Sequence, residues 1–199
     1  MPNRYFIINK PMHMVSQFVS TDKVRLLGDL NFTFPEGTHA VGRLDNESEG
    51  LLILTTNKKV TRLLFQGIKK HSRSYLVLVK NEVAAETLEQ MRKGISIRIK
   101  GGGDYISEPC EAEIMADAKA IYPLAEDTRE AYPHTWILLT LTEGKFHQVR
   151  KMVLAVHHRC LRLIRVSIEN IHLGDLQPGA VKEYDEETFF RLLDIEYKE

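Results

Sequence analysis

Ala40 to Asn57 reads AVGRLDNESEGLLILTTN. The apolar pair Ala40 and Val41 stops at Gly42, and a polar stretch follows from Arg43 to Gly50. An unbroken apolar run, Leu51 to Leu54, is then closed by Thr55, Thr56 and Asn57. Physically this is strand, loop, buried strand. Between its two glycines the loop holds one arginine, Arg43, and three carboxylates, Asp45, Glu47 and Glu49. Two readings stand side by side. One is a solvated acidic turn; the other is a reactive loop held between two rigid strands, where chemistry usually sits.

Working outward, Tyr5 to Asn9 predicts a short apolar strand that Lys10-Pro11 ends. Ser20 is placed to cap a helix over Asp22 to Leu30, with Val24, Leu27 and Leu30 on one face. Asn31 to Thr38 reads as a loop broken by Pro35 and Gly37. Asn57 caps a helix running to Phe65, which Gly67 ends. Ser74 to Val79 predicts a strand, Ala84 to Lys93 a helix stopped by Gly94, and Ile95 to Ile99 a half-buried strand. Gly101-Gly102-Gly103 is a turn, without the Lys-Ser/Thr and following helix of a phosphate-binding loop. Cys110 to Met115 predicts a strand, and Ala116 to His134, with Pro123 and Pro133, a long loop. Thr135 to Leu141 (TWILLTL) is a buried strand. Glu143-Gly144 turns the chain into a helix from Lys145 to about Val156. Cys160 to Ile168 is a strand that alternates Leu161, Leu163 and Val166 with Arg162 and Arg165. Gly174 to Gly179 is loop, and Glu186 to Leu193 a terminal helix. The strands do not follow strict βαβ order, which predicts an α+β domain with a largely antiparallel mixed sheet.

The 199 residues suffice for one sizeable domain or two small halves sharing a core. No apolar run approaches the roughly 20 residues that span a bilayer, and the N-terminus lacks the pattern of a secretory signal. Cys110 and Cys160 stand far apart, which predicts two buried free thiols in a cytoplasmic protein. His157 and His158 are adjacent and point apart on a helix. With His147 they form no metal-binding pattern, so no metal is expected. Formal net charge is zero, but the charge is segregated. From Lys145 to Arg165 there are six Lys/Arg and no acid, and from Thr56 to Lys100 eleven Lys/Arg against three acids. Such segregation makes a basic face on a neutral protein, or else alternating solvated faces on helices.

The central stretch resembles the signature of RNA pseudouridine synthases of the A, B, E and F types, which modify small- and large-subunit ribosomal RNA. Their pattern is a GRLD, a hydroxyl residue three after the Asp, then Gly-Leu-Leu and a Thr-Asn. Here Asp45 falls on the catalytic aspartate, and Ser48 on a position that is usually Thr. Arg73-Ser74-Tyr75-Leu76, the EGKFHQVRKM stretch from Glu143 to Met152, and Leu161 to Arg165 resemble further family segments in the same order. The resemblance covers about Tyr5 to Gly179. Departures from the pattern are Arg73, where Lys is frequent, and Phe146-His147, where Asn-Arg is frequent. Both lie beside the positions of interest and bear on substrate identity.

The resemblance implies the pseudouridine synthase catalytic fold: a mixed, largely antiparallel sheet in two halves flanked by helices, with the active-site cleft between them. It implies a single catalytic domain over 1–199, or two subdomains of about 1–57 and 58–180. A family S4 domain is not expected, because the chain begins directly with the first catalytic strand. The implied reaction breaks the N1–C1′ bond of one uridine in large-subunit ribosomal RNA, rotates the base and rejoins it through C5. No redox change occurs, so no cofactor is implied. Asp45 would act at the ribose, either attacking C1′ or removing a proton at C2′. By family analogy Arg150 is its charge partner, since a nearby guanidinium favours an ionised carboxylate. Tyr75 would hold the freed base by stacking and relay the C5 proton, with Leu163 on the other side of the base. Arg43 would fill the stack vacated by the flipped uridine. Lys145, Arg159, Arg162 and Arg165 would grip phosphates. The implied protein is a cytoplasmic monomer whose partner is ribosomal RNA, with no membrane role. Two rivals remain: a non-catalytic RNA-binding or assembly factor on the same fold, and a glycosidase-like carboxylate pair among Asp45, Glu47 and Glu49. No sugar-binding aromatic cluster near the loop supports the second.

Overall fold

The computed structural model describes residues 2–99, 101–126 and 132–197. Its elements begin with β1 (Tyr5–Lys10), β2 (His39–Val41), β3 (Glu49–Thr55), α1 (Lys59–Phe65), β4 (Arg73–Lys80), α2 (Ala85–Lys93), β5 (Ser96–Arg98), β6 (Asp104–Ile106) and β7 (Glu111–Met115). They continue with β8 (His134–Leu141), α3 (Gln148–Ala155), β9 (Cys160–Ile168), β10 (Ile171–His172), β11 (Val181–Tyr184) and α4 (Glu186–Leu192). The pairings β1–β3, β1–β11, β4–β8 and β7–β8 are all antiparallel, so the chain adopts the expected α+β class. No helix among the described residues is long and apolar enough to cross a membrane.

Two compact units divide the chain: Met1–His71 with Arg165–Glu199, and Ser72–Ile164. The C-terminal stretch thus rejoins the first unit, which no single boundary along the sequence describes.

In the first unit the strand order is β11-β1-β3-β9, with β2 on β3 and β10 on β9. β1 is flanked on both sides, Tyr5 standing opposite both Tyr184 and Thr55. A central strand covered on both faces reads as continuous apolar sequence, and YFIINK is buried along its whole length. Each large side chain buried there stabilises the unit by about 1.5–3 kcal/mol. The Thr-Thr-Asn that closes β3 laces the strand ends together. Thr55 Oγ1 donates to the Arg4 carbonyl (2.7 Å), and Arg4 N donates to Thr56 Oγ1 (2.9 Å). Asn57 Nδ2 donates to the hydroxyls of both Tyr5 and Tyr197, while its Oδ1 accepts Lys59 N at the start of α1.

In the second unit the order is β9-β4-β8-β7, and β5 and β6 form a separate hairpin. Its turn, Gly101 to Gly103, carries φ of 93–98°, the left-handed region that glycine enters without strain. The core joins Val77 and Val79 of β4 and Leu88 and Met91 of α2 to Leu139 of β8, Met152 of α3 and Leu163 of β9.

Four expectations of secondary structure need correction. Asp22 to Leu30 is no α-helix; only Leu27–Asp29 forms a 3₁₀ turn. Ser20 Oγ caps the Asp22 amide in a local turn, and the backbone of Arg25 and Leu27 bonds to Val15 and Gln17 instead of to a helix. The helix expected from Lys145 begins at Gln148, because the Gln148 side chain takes the Lys145 amide and holds the preceding residues in a turn. β9 does not alternate: Leu163 to Ile168 are all buried, Arg165 included. Finally, β6, β10 and β11 add to the expected strands; they are short and exist by pairing with β5, β9 and β1. The expected long loop from Ala116 to His134 carries a 3₁₀ turn at Ala118–Ala120, and its residues 127–131 lie outside the described residues, as does Lys100. Cys110 and Cys160, expected buried, are half-buried.

Candidate active site

The Asp45 loop in the first unit is fixed at its base by a reciprocal pair. Ser16 Oγ donates to the Leu44 carbonyl and accepts the Leu44 amide, both at 2.9 Å. The Ser48 amide closes a turn on the Asp45 carbonyl (3.0 Å), and His13 N donates to the Asn46 carbonyl (2.8 Å). Leu44 and Ser48 are buried, Asp45 and Glu49 half-buried, and Arg43 exposed.

Two cations lie buried beside this loop. Lys10 is 0% exposed, and its Nζ donates to the carbonyls of Pro11 (2.9 Å) and Met14 (2.6 Å). Burial pushes its ammonium down to about 8; the charges of Glu49 and Asp45 oppose that shift, and Arg165 adds to it. Arg165 is 3% exposed, and its Nε donates to the Leu51 carbonyl (2.7 Å). Lys10 pairs across the strands with Gly50. A Cβ on Gly50 would collide with the Arg165 carbonyl, so the glycine lets these backbones approach. In the sequence Lys10 reads only as a strand terminator. Its available signal is a lysine continuing an unbroken apolar strand.

In the second unit Tyr75 is half-buried on β4 and packs against the cluster that contains Leu163. Leu163 is itself core. The turn into α3 is built around Glu143, which accepts the Tyr105 hydroxyl, the Glu108 amide (2.8 Å) and Gln148 Nε2 (2.6 Å). The bond to Glu143, with burial adding, pushes the Tyr105 hydroxyl up to about 12. Arg73 lies under this turn: a Cβ on Gly144 would meet its Nη1 at 3.0 Å. Glu143 and Arg73 stand in stretches that the sequence marks as family-like, but it gives neither a role of its own.

Of the expected site residues, Arg43, Asp45 and Arg165 belong to the first unit. Tyr75, Lys145, Arg150, Arg159, Arg162 and Leu163 belong to the second. Arg150 is half-buried on α3, and Lys145 and Arg159 are exposed. Two phosphate-gripping expectations meet a different geometry. Arg165 is buried on a carbonyl, and Arg162 Nη1 donates to the carbonyls of Leu124 (3.0 Å) and Glu126 (3.1 Å). Both guanidiniums hold backbone in place.

In the first unit a half-buried carboxylate stands on a pinned loop beside buried cations. The family model described as RNA pseudouridylate synthase matches residues 4–155. Ribosomal large subunit pseudouridine synthase E of Vibrio parahaemolyticus is 36% identical over 90% of this chain and 73% of that protein. The protein of the same name from Xanthomonas axonopodis pv. citri is 33% identical, covering 86% of this chain and 89% of its own. A crystal structure of a pseudouridylate synthase superposes with a TM-score of 0.76 at 24% identity, covering 96% of this chain and 74% of that one. With these matches, the chain belongs to the RNA pseudouridylate synthase family. It is an isomerase that converts uridine in RNA to pseudouridine.

Proposed function

We propose that the chain modifies one uridine in large-subunit ribosomal RNA, with Asp45 as the catalytic residue. The observation that carries this reading is the Asp45 loop. The GRLD motif stands in a loop pinned through Ser16 and Leu44, with Lys10 and Arg165 buried close by. Such surroundings suit a carboxylate that acts through its charge. The names and identities of the relatives support the large-subunit target.

In this reading Asp45 acts at the ribose while the N1–C1′ bond breaks. The uracil rotates and bonds through C5; the C5 proton leaves and N1 gains a proton, so the atoms balance. Tyr75 stacks on the base and relays the C5 proton, Arg150 supplies the counter-charge, and Arg43 replaces the flipped base. The exposed Lys145 and Arg159 contact phosphate. Arg162 and Arg165 support the protein backbone. The enzyme works as a cytoplasmic monomer without a cofactor.

The test is chemical mapping of pseudouridine in large-subunit RNA and in tRNA after incubation with purified protein. A single modified position in the ribosomal RNA and little in tRNA is expected. Efficient tRNA modification, or many scattered sites, would remove the target assignment and leave the chemistry standing.

A further inference from the structure

Phe146 is 60% exposed, near the start of a 21-residue stretch, Lys145 to Arg165, that holds no acid. Aromatic rings in folded proteins ordinarily bury most of their area. Here the ring lies flat against His147 instead, with centroids 3.8 Å apart and planes at 20°. Lys151 Nζ stands 5.4 Å from the Phe146 centroid. Beside it, Lys145 Nζ lies 4.6 Å from the Tyr105 ring.

The surrounding turn is fixed rather than loose. Gln148 is buried, takes the Lys145 amide (2.8 Å) and donates to Glu143 (2.6 Å). His147 is held at φ 54°, left-handed backbone that residues with a side chain enter only under strain. The fold therefore maintains strain at the residue whose imidazole backs the exposed ring. Neither residue joins the hydrophobic core.

We propose that Phe146 and His147 form a stacking platform for one unpaired nucleotide of the RNA substrate. This deepens the reading of the protein as an RNA-modifying enzyme and rests on it. The chemistry selects the occupant. A single-stranded nucleotide offers a flat base to the ring and a phosphate to Lys145 and Lys151, whereas a duplex keeps its bases in its own stack. An acidic peptide would satisfy the lysines and leave the ring unused.

The test uses the full chain, a single-stranded oligoribonucleotide, and the duplex formed with its complement. The only natural tryptophan, Trp136, is buried, so wild type supplies the fluorescence baseline. Single-stranded RNA is expected to quench the Phe146→Trp variant beyond that baseline, and duplex is not. Phe146→Ala should weaken single-strand binding by about 5- to 150-fold, the loss of one base–aromatic stack. Duplex binding and the thermal midpoint should stay at wild-type values, since the ring is exposed. On large-subunit RNA, KM should rise more than kcat falls. Unchanged single-strand affinity in Phe146→Ala, or equal loss on single strand and duplex, overturns the platform. Failure of the enzymatic reading looks different: wild type would form no pseudouridine whatever Phe146 does to binding.

Discussion

The Asp45 loop and the Glu143 turn both place carboxylates at the end of a strand, and they treat them in opposite ways. In the first, Asp45 and Glu49 act electrostatically on buried Lys10, with Arg165 alongside. In the second, Glu143 accepts three neutral donors, from Tyr105, Glu108 and Gln148. A carboxylate satisfied by neutral donors has its lone pairs committed to shaping a turn. A carboxylate set among buried cations acts through its charge. The residue type is the same, and the neighbours divide the labour.

The strongest way to break that contrast is to neutralise both. Asp45→Asn should reduce pseudouridine formation by about 10²–10⁴-fold or more with RNA binding nearly intact. Glu143→Gln can keep an oxygen on the Glu108 amide and Gln148 Nε2 and turn its NH2 to the Tyr105 oxygen. It loses only the charge of those bonds, so it should lower stability by about 0.5–1.5 kcal/mol and spare much more of the rate. Single-turnover kinetics and thermal unfolding separate the two. If Glu143→Gln loses rate as deeply as Asp45→Asn at unchanged stability, the division of labour is wrong.

A smaller effect sharpens the role of the cations. Folded Lys10 releases its proton near pH 8, against about 10.4 in an unfolded chain. Between those values the unfolded state binds more protons, so the Lys10 contribution makes the fold more stable as pH rises. Against Lys10→Met, wild type should therefore gain in thermal midpoint from pH 8 to 10. Over the same range the rate should fall, because the acidic loop loses its cation, and Lys10→Arg should lack that fall. A rate that holds steady above pH 8 in wild type would make Lys10 a purely structural residue.

The smallest effect falls on the exposed surface. Arg159→Ala should flatten the dependence of log affinity on log salt by about one unit, as for one lost phosphate contact. Arg162 makes the control. Its guanidinium is committed to the Leu124 and Glu126 carbonyls, so its replacement should lower the thermal midpoint rather than the slope. A reversal of the two would return Arg162 to the RNA-binding surface.

The strands β1, β3, β4, β8 and β9 are legible in the sequence because long apolar runs have few other places to go. The GRLD loop is legible by its glycine limits and charge. What escapes the sequence is decided by distant partners. Val24, Leu27 and Leu30 have helical spacing, but the backbone of residues 25–27 is taken by residues 15–17. β11, with Lys182 and Glu183, has no strand-like apolar pattern and is defined by its register against β1. Lys10 and Arg165 look like polar surface in one dimension. They are buried because their strands are covered on both sides; the local carbonyls of Pro11 and Met14 receive Lys10, and the distant carbonyl of Leu51 receives Arg165.

The return of the C-terminal stretch to the first unit sets an order on the ribosome. Residues 72–164 are contiguous, and most of their sheet, including the β4–β8 and β7–β8 pairs, is available once β9 has emerged. The first unit begins earlier in the message and finishes later. Tyr5 must wait for Tyr184, and the Asn57 amide for Tyr197, before their bonds can close. Domains complete in the order their last segment leaves the exit tunnel. The half of the protein synthesised first is therefore the half completed last, and the unit that carries the Asp45 loop stays unfinished until β11 and Tyr197 have emerged.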